Sequence, residues 1–246
     1  MKLLLLGTAG YHPSEHRQTA CLMLPEAGIV LDAGTGFFRV RQHLQTPTLD
    51  ILLTHAHLDH VAGLTFLLST VFERPLERIT VHAAAEKIAA IREHLLSEHL
   101  FPAPLPCNWQ PLESGELQIG GVHVSHFPLD HPGSSTGFRL DCTGRSMAYV
   151  TDTTAAADAP YVAAICGVDC LVHECNFPDG QEEWAAKTGH SCTTPVAQVA
   201  AAAGVGRLIL TPFDPQDDSP DPIRLSSARR VFPATDLGYD GMEIEF

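Results

Sequence analysis

Leu52-Leu53-Thr54-His55-Ala56-His57-Leu58-Asp59-His60-Val61-Ala62-Gly63-Leu64 carries four metal-binding side chains, His55, His57, Asp59 and His60, within six positions. Neutral imidazoles and a carboxylate are ligands for Zn²⁺ and similar ions, and a solvated polar loop does not gather four of them so closely. The apolar run before them reads as a buried strand over residues 50–54. Residues 61–72 after them carry apolar side chains at helical spacing. His55 and His57 are alternate residues just past the strand, so an extended backbone turns both into one cleft. Asp59 and His60 fall at the entry to the helix, which faces them toward a neighbouring position.

Working outward, strand-like runs at 3–6, 20–24 and 29–31 precede this stretch, and the last leads into Asp32-Ala33-Gly34-Thr35-Gly36. Beyond it come a strand at 79–82, an amphipathic helix at 83–100 with Ile88, Ile91 and Leu95 on one stripe, and a Pro-rich loop at 101–111. Hairpins follow at 117–127 around Gly120-Gly121 and at 137–151 around Thr143-Gly144-Arg145. A short helix at 161–165 and a strand at 171–174 come next. A helix at 195–203 has Thr194 as its cap, Pro195 in its first turn and Gly204 at its end. A strand at 208–210, a loop at 216–222 and a terminal strand at 242–246 complete the pattern. There is no composition break and no repeat at a fixed period. The expectation is one domain over residues 1–246, with sheets between helices.

Fifteen Lys and Arg against 29 Asp and Glu leave a formal charge of −14. Such a surface repels polyanions, and there is no Lys/Arg run to neutralise phosphates. The seven cysteines form no CxxC pair, which suggests neither a disulfide framework nor a zinc ribbon. Reduced, buried thiols of a cytoplasmic protein are the expectation. MKLLLLGTAG has four leucines before Gly7, too few for a signal-peptide core or a membrane span.

The ordered series MKLLLLGTAG, GIVLDAGTG, LLTHAHLDHVAGL, PLDHPGSSTGFRLD, AYVTDT, LVHECNF, GHSCTTP, LILTPFDP and DGMEIEF resembles the metallo-β-lactamase-fold hydrolases over nearly the whole chain. Within them it is similar to the ribonuclease Z branch and its small phosphodiesterase relatives. HxHxDH alone marks the superfamily; the series after it is more specific. The resemblance implies an α/β fold, an αββα sandwich of two mixed β-sheets flanked by helices. It implies two metal ions about 3.5–4 Å apart with a hydroxide between them. His55, His57 and His131 would hold the first, Asp59 and His60 would start the second, and Asp152 would bridge both. Zn²⁺ is the implied ion, in one site or two. Glu174 and His190 would work beside the metals. His190 would bind substrate phosphate or protonate the leaving oxygen, and Glu174 would orient it and raise its pKa. Asp59 would also be placed to take a proton from the attacking water. Asp32 matches a recurrent acidic position with a structural task, bonding turn amides.

One position departs from the family. A final histidine belongs after the strand of LILT, in a Thr-His-Phe context, and Pro212 stands there instead. Proline has no side-chain ligand atom, and the 14 histidines end at His190. Asp214, two residues on, offers the nearest oxygen. The second site is therefore expected to be weaker and richer in oxygen, suiting Mn²⁺, Mg²⁺ or Fe²⁺. Family members that process tRNA carry a long arm between the ligands matching His131 and Asp152, where this chain has only 20 residues. The implied function is metal-dependent hydrolysis of a small or cyclic phosphodiester. Processing of tRNA 3′ ends, and a catalytically weakened metal-binding protein, are the alternatives. The implied partner is a small phosphodiester. Nucleic acid is disfavoured, no membrane is involved, and a homodimer is left open. Among other residues, His12 and His16 lie in an early loop expected to approach the site. Cys192 is expected near the cleft as a small inert residue or a thiol. His82, His94, His99, His123, His126 and His173 read as packing or solvent-facing residues.

Overall fold

Leu3, Leu4, Leu5 and Leu6 are all buried, but on alternate sides. Successive strand side chains point to opposite faces, so Leu3 and Leu5 join one hydrophobic core while Leu4 and Leu6 join another. The same split recurs at Leu22 and Met23, Ile29 and Val30, and Leu52 and Ile51. It appears again later at Met147 and Ala148, Val172 and Leu171, and Ile209 and Leu208. Strands apolar on both faces need cover on both faces. In this computed structural model, which describes residues 1–72, 75–113, 115–217 and 219–246, a second sheet covers the inner face and helices cover the outer one. The architecture is the expected αββα sandwich.

In chain order the strands are β1 (Lys2–Gly7), β2 (Cys21–Leu24), β3 (Ile29–Leu31), β4 (Thr48–Leu52), β5 (Arg78–Ala83), β6 (Asn108–Pro111), β7 (Leu117–Ile119), β8 (Val122–Leu129), β9 (Ser135–Cys142), β10 (Arg145–Val150), β11 (Cys170–His173), β12 (Arg207–Leu210), β13 (Thr235–Leu237) and β14 (Glu243–Glu245). One seven-stranded sheet runs β14-β1-β2-β3-β4-β5-β6 and the other runs β13-β12-β11-β10-β9-β8-β7. Each is antiparallel on one side of its central strand and parallel on the other, the parallel parts being β3-β4-β5-β6 in one and β10-β11-β12-β13 in the other. The pairing order thus repeats although the sequence shows no period. Parallel strands end on one rim, and loops leaving those ends are where such sheets build sites. Asp32 leaves β3, His55 follows β4, Asp152 follows β10 and Glu174 follows β11.

Several elements differ from the sequence reading. The strand expected at 50–54 is β4, which ends two residues earlier, leaving Leu53 and Thr54 in the loop that carries His55. The helix expected at 61–72 is broken into Leu58–Val61, a 3-10 turn Ala62–Phe66 and Leu67–Phe72. The break follows from close packing at Gly63, where an added Cβ would stand 2.1 Å from the Gly34 carbonyl oxygen and 2.6 Å from Phe37 Cβ. The helix expected at 83–100 is shorter, Ala85–Ala90 followed by a π-turn Ile91–Leu95. Part of the expected Pro-rich loop is edge strand β6, paired in parallel with β5. The helix at 161–165 is a 3-10 turn, Pro160–Val162. Helix Thr193–Ala203 starts one residue before the expected Thr194 cap. Asp179 instead accepts from the Thr194 amide at 2.7 Å. Gly204 closes that helix with φ +62°, as the sequence indicates. Helices Glu182–Thr188 and Leu225–Val231 and strand β13 had no counterpart in the sequence reading. Asp218, within the loop expected at 216–222, lies outside the described residues.

Among the described residues no helix is long and apolar enough to cross a membrane. Gly63 also donates its amide to Ala33 O at 2.7 Å, and Ala33 donates to His60 O at 2.8 Å, so the ligand helix is laced to the loop after β3. Gly63→Ala should therefore destabilise the protein by about 1–3 kcal/mol by overpacking. Urea unfolding followed by far-UV circular dichroism measures it; an unchanged midpoint would contradict the packing described.

Candidate metal centre

Asp32 is fully buried at the end of β3 and organises the residues around it. Its carboxylate accepts from the Thr54 amide at 2.8 Å and from the Thr54 hydroxyl at 2.9 Å. It also accepts from Tyr149 Oη at 3.1 Å, reaching across from the second sheet. His60 Nδ1 lies 2.8 Å from Asp32 Oδ2. A carboxylate accepts from the ring N–H that faces it, so Asp32 holds a proton on His60 Nδ1 and leaves Nε2 as the nitrogen that a cation would take. His55 Nδ1 lies 3.0 Å from Thr54 Oγ1. That hydroxyl already donates to Asp32, so it accepts from His55 Nδ1–H and leaves His55 Nε2 bare. His131 Nδ1 donates to Gly189 O at 2.9 Å, which bares its Nε2 in the same way.

These Nε2 atoms meet at Asp152. Its Oδ2 lies 3.4 Å from His55 Nε2 and 3.5 Å from His131 Nε2. Its Oδ1 lies 3.5 Å from His60 Nε2, which stands 3.4 Å from Asp59 Oδ2. One carboxylate therefore faces two groups of donors, one through each oxygen. His55, His57, His131 and Asp152 each offer an atom within 4.8 Å of the others. His57 reaches this point because the backbone stays extended through it, at φ −67° and ψ 148°. Asp152 turns inward from β10 on a left-handed backbone, φ +49°, which short acidic side chains tolerate.

Charge is divided between the two residue types. Burial and the neighbouring His55 and His131 push His57 down to about 4. Burial outweighs the Asp152 charge and lowers His131 as well. Burial alone would raise Asp59, yet the charge and hydrogen bond of His60 bring it down to about 2. The same opposition holds Asp152 well below the carboxylate range, with His60 and His55 outweighing burial. His57 and His131 thus stand as neutral imidazoles beside the ionised carboxylates of Asp59 and Asp152, donor states that divalent metals require. His60 differs: burial would lower it, but the charges of Asp152, Asp59 and Asp32 raise it well above the ordinary imidazole value, so a cation there would displace a proton. His55 Nε2 and His60 Nε2 are both buried without a hydrogen-bond partner. His57 Nδ1 and His131 Nε2 face each other at 3.3 Å. Orphaned, converging ring nitrogens of this kind fit a bound cation.

The Beta-lactamase superfamily domain profile matches residues 28–213. The chain belongs to this superfamily. Ribonuclease BN of Erwinia tasmaniensis is 29% identical over 310 aligned positions, covering 98% of each chain. Ribonuclease Z of Nostoc sp. is 42% identical over 106 positions, which are 42% of this chain and 32% of that one. The metallo-β-lactamase fold protein YhfI of Bacillus subtilis superposes with a TM-score of 0.83 at 19% identity, covering 100% of this chain and 99% of that one. The chain is a metallo-hydrolase of ribonuclease Z-like kinship.

In this superfamily member Pro212 does line the cleft, at the place where a ligand atom is missing. Asp214 does not replace it. Its Oδ1 accepts from the Gln216 amide at 3.0 Å, and it lines a separate cleft with His16 and Arg17. His190 Nδ1 stands 3.3 Å from Glu174 Oε1 beside the cluster, its ring 5.2 Å from that of His131. Glu174 is fully buried and accepts from the Thr153 and Asn176 amides at 3.1 and 3.0 Å. Burial raises it above the ordinary carboxylate value, against the His190 charge and the Thr153 amide, which favour the carboxylate. Burial would lower His190, but the charge and hydrogen bond of Glu174 raise it to about 9.

Sequence reasoning missed Tyr11, Asn176 and Thr188, which also line the cleft. The early loop approaches through Tyr11, whose amide donates to Asp59 Oδ2 at 2.8 Å, and not through His12 or His16. No spacing signal marks such residues, since only tertiary contacts bring them in. Cys192 is buried against Phe177 and Ala185, outside the cleft lining. His82 is a packing residue bonded to Asp50 at 2.9 Å, and His173 is fully buried against Tyr161 Oη at 2.9 Å. His123 sits 2.7 Å from Glu116, away from the cluster.

Replacing Asp32 by Ala removes the acceptor that sets both His55 and His60. Loss of such an orienting partner lowers metal affinity about 10–100-fold. Competition with a chromogenic chelator would measure this in D32A, and unaltered affinity would refute the orienting role.

Proposed function

We propose that this protein is a metal-dependent phosphodiesterase that cleaves a small or cyclic phosphodiester in the cytoplasm. The observation that carries the reading is the Glu174–His190 pair standing beside the imidazole and carboxylate cluster. A phosphodiester in the cleft presents an anionic oxygen and a leaving oxygen. His190, raised to about 9 by its neighbour, is protonated at neutral pH and suited to donate to either. Glu174 fixes the ring through Nδ1–H and keeps Nε2 as the working nitrogen. His55, His57, His131 and Asp152 are proposed to hold one divalent ion, most suitably Zn²⁺ given the three imidazoles. Asp59, His60 and Asp152 are proposed to hold a second, more weakly, because Pro212 supplies nothing; its oxygen-rich donors suit Mn²⁺ or Fe²⁺. Such ions supply Lewis acidity toward the phosphoryl oxygens and a lowered pKa for the attacking water. Asp59, held at about 2 against burial by the charge and hydrogen bond of His60, is proposed to hold charge and orient, and to be placed to take a proton from the attacking water. Seven free thiols fit a reducing, cytoplasmic setting.

Three features favour a small substrate. The cleft has a volume of about 400 Å³ and no Lys or Arg among its lining residues. The net charge is −14. Aligning 98% of this chain with the Erwinia ribonuclease takes 310 positions, so that relative carries segments absent here. Processing of tRNA 3′ ends is the second reading, supported by that full-length similarity to a protein named ribonuclease BN. A metal-binding protein with weakened catalysis is the third, supported by Pro212.

Cyclic and linear small diesters should be hydrolysed far faster than a precursor tRNA trailer in parallel assays with Zn²⁺, Mn²⁺ and Fe²⁺. Efficient trailer removal would favour the second reading, and no turnover on any diester the third. Protein purified without added metal should retain one ion per chain after dialysis; two tightly held zinc ions by mass spectrometry would argue against unequal sites. Activity that needs the His190 proton should be lost as pH rises through about 9. Glu174→Gln removes the charge that raises it, so this limb should move down toward the ordinary imidazole value of about 6.5. A limb that stays in place would deny His190 the acid role.

A further inference from the structure

The rim of the cleft carries two large apolar side chains that the proposed chemistry does not use. Tyr11 is 78% exposed and Leu58 is 68% exposed, and both line the cleft. Leu58 immediately precedes Asp59 at the start of helix Leu58–Val61, and the Tyr11 amide donates to Asp59 Oδ2 at 2.8 Å. Both side chains therefore rise from backbone that adjoins Asp59, one by sequence and one by a hydrogen bond.

A single exposed leucine is ordinary. Tyr11 is not, because its backbone is left-handed, φ +58°, a region that a bulky L side chain seldom occupies. It is held there by its bond to Asp59 and by the preceding residue, Gly10, whose amide donates to Phe213 O at 2.9 Å. Its ring stays largely in solvent, standing beside the His12 ring, tilted at 5.3 Å. Strained residues with exposed side chains concentrate where a ligand is gripped. Among the described residues, none of those lining the cleft is Lys or Arg. Beyond the reacting phosphate the described rim offers the apolar faces of Tyr11 and Leu58 beside polar Asn176 and Thr188.

We propose that Tyr11 and Leu58 form a subsite for a flat apolar group of the substrate, so that the substrate class is a small phosphodiester bearing one nucleobase or comparable ring. This rests on the phosphodiesterase reading above and narrows it. Ring stacking on Tyr11, with apolar contact at Leu58, selects such a diester over a base-free sugar phosphate.

The test compares adenosine 2′,3′-cyclic phosphate with methyl ribofuranoside 2,3-cyclic phosphate, which lacks the base, in the parent, Tyr11→Gly and Leu58→Ser. The parent should prefer the nucleotide, and each variant should lower the ratio of the two kcat/KM values about tenfold, mainly through KM, as expected for loss of a base-stacking contact. Tyr11→Gly suits a positive φ, so its melting temperature should rise while the preference falls, a combination that general damage to the fold does not produce. A ratio within twofold of the parent in both variants would overturn the inference and leave the phosphodiesterase reading standing. Should the parent cleave neither diester, that reading fails, and calorimetric binding of adenosine 2′-monophosphate against ribose 5-phosphate to the metal-loaded parent and Tyr11→Gly decides the subsite by the same ratio. A dimer that dissociates in Tyr11→Gly with the ratio unchanged would assign the pair to contact between copies and overturn it as well.

Discussion

The carboxylate of Asp32 is the constraint on which the site depends. It is fully buried, and it accepts from the Thr54 amide and hydroxyl, from Tyr149 and from His60. Through His60 directly and His55 by way of Thr54, it decides which ring nitrogen carries the proton. Those two choices aim two ring nitrogens into the cleft. The Tyr149 bond adds a tie between the sheets, because Asp32 ends β3 while Tyr149 belongs to β10 of the other sheet. The two sides of the sandwich are therefore locked at the point where their loops must converge within ångströms. A buried carboxylate without these partners would be strongly disfavoured, so the network satisfies the ion and orients the imidazoles at once.

The cluster built on that network is lopsided. Asp152 presents one oxygen to His55 and His131 and the other to His60. On the first side three imidazoles and a carboxylate oxygen approach one another, enough for a tetrahedral ion. On the second side Pro212 occupies the remaining wall. The chemistry available is accordingly strong on one side and thin on the other. The nearby Glu174–His190 pair adds an imidazole that keeps its proton despite burial, because it faces a carboxylate held by two backbone amides. This positive charge is local, because the chain as a whole carries −14.

Much of the fold was legible because hydrophobic periodicity survives in the strands. Leu3–Leu6 and Ile29–Leu31 are apolar on both faces and are buried on both faces. Boundaries were less legible where packing overrides local pattern. Apolar spacing through 61–72 suggests an unbroken helix, yet Gly63 packs against the Gly34 carbonyl and the helix breaks there. Prolines around 101–111 suggest loop, yet Asn108–Pro111 gains backbone partners on β5 as an edge strand, where a proline at the strand end is tolerated. Helix Glu182–Thr188 escaped because its exposed face and single buried Ala185 leave almost no apolar stripe to read.

The sequence by itself determined the chemistry of the donors. Histidine at 55, 57, 60 and 131, carboxylates at 59 and 152, the 174 and 190 pair, and the absence of a donor at 212 are all covalent facts, visible before any folding. Only the tertiary structure decided what those groups face. It set the ring tautomers through Asp32 and Gly189 and gave each oxygen of Asp152 its own neighbours. It sent Asp214 to another cleft and brought Tyr11, Leu58 and Asn176 to the rim. The reason is physical: hydrogen-bond direction, burial and approach distance depend on residues up to more than a hundred positions apart, as in the Tyr149 bond to Asp32. No local pattern in the chain encodes those distances.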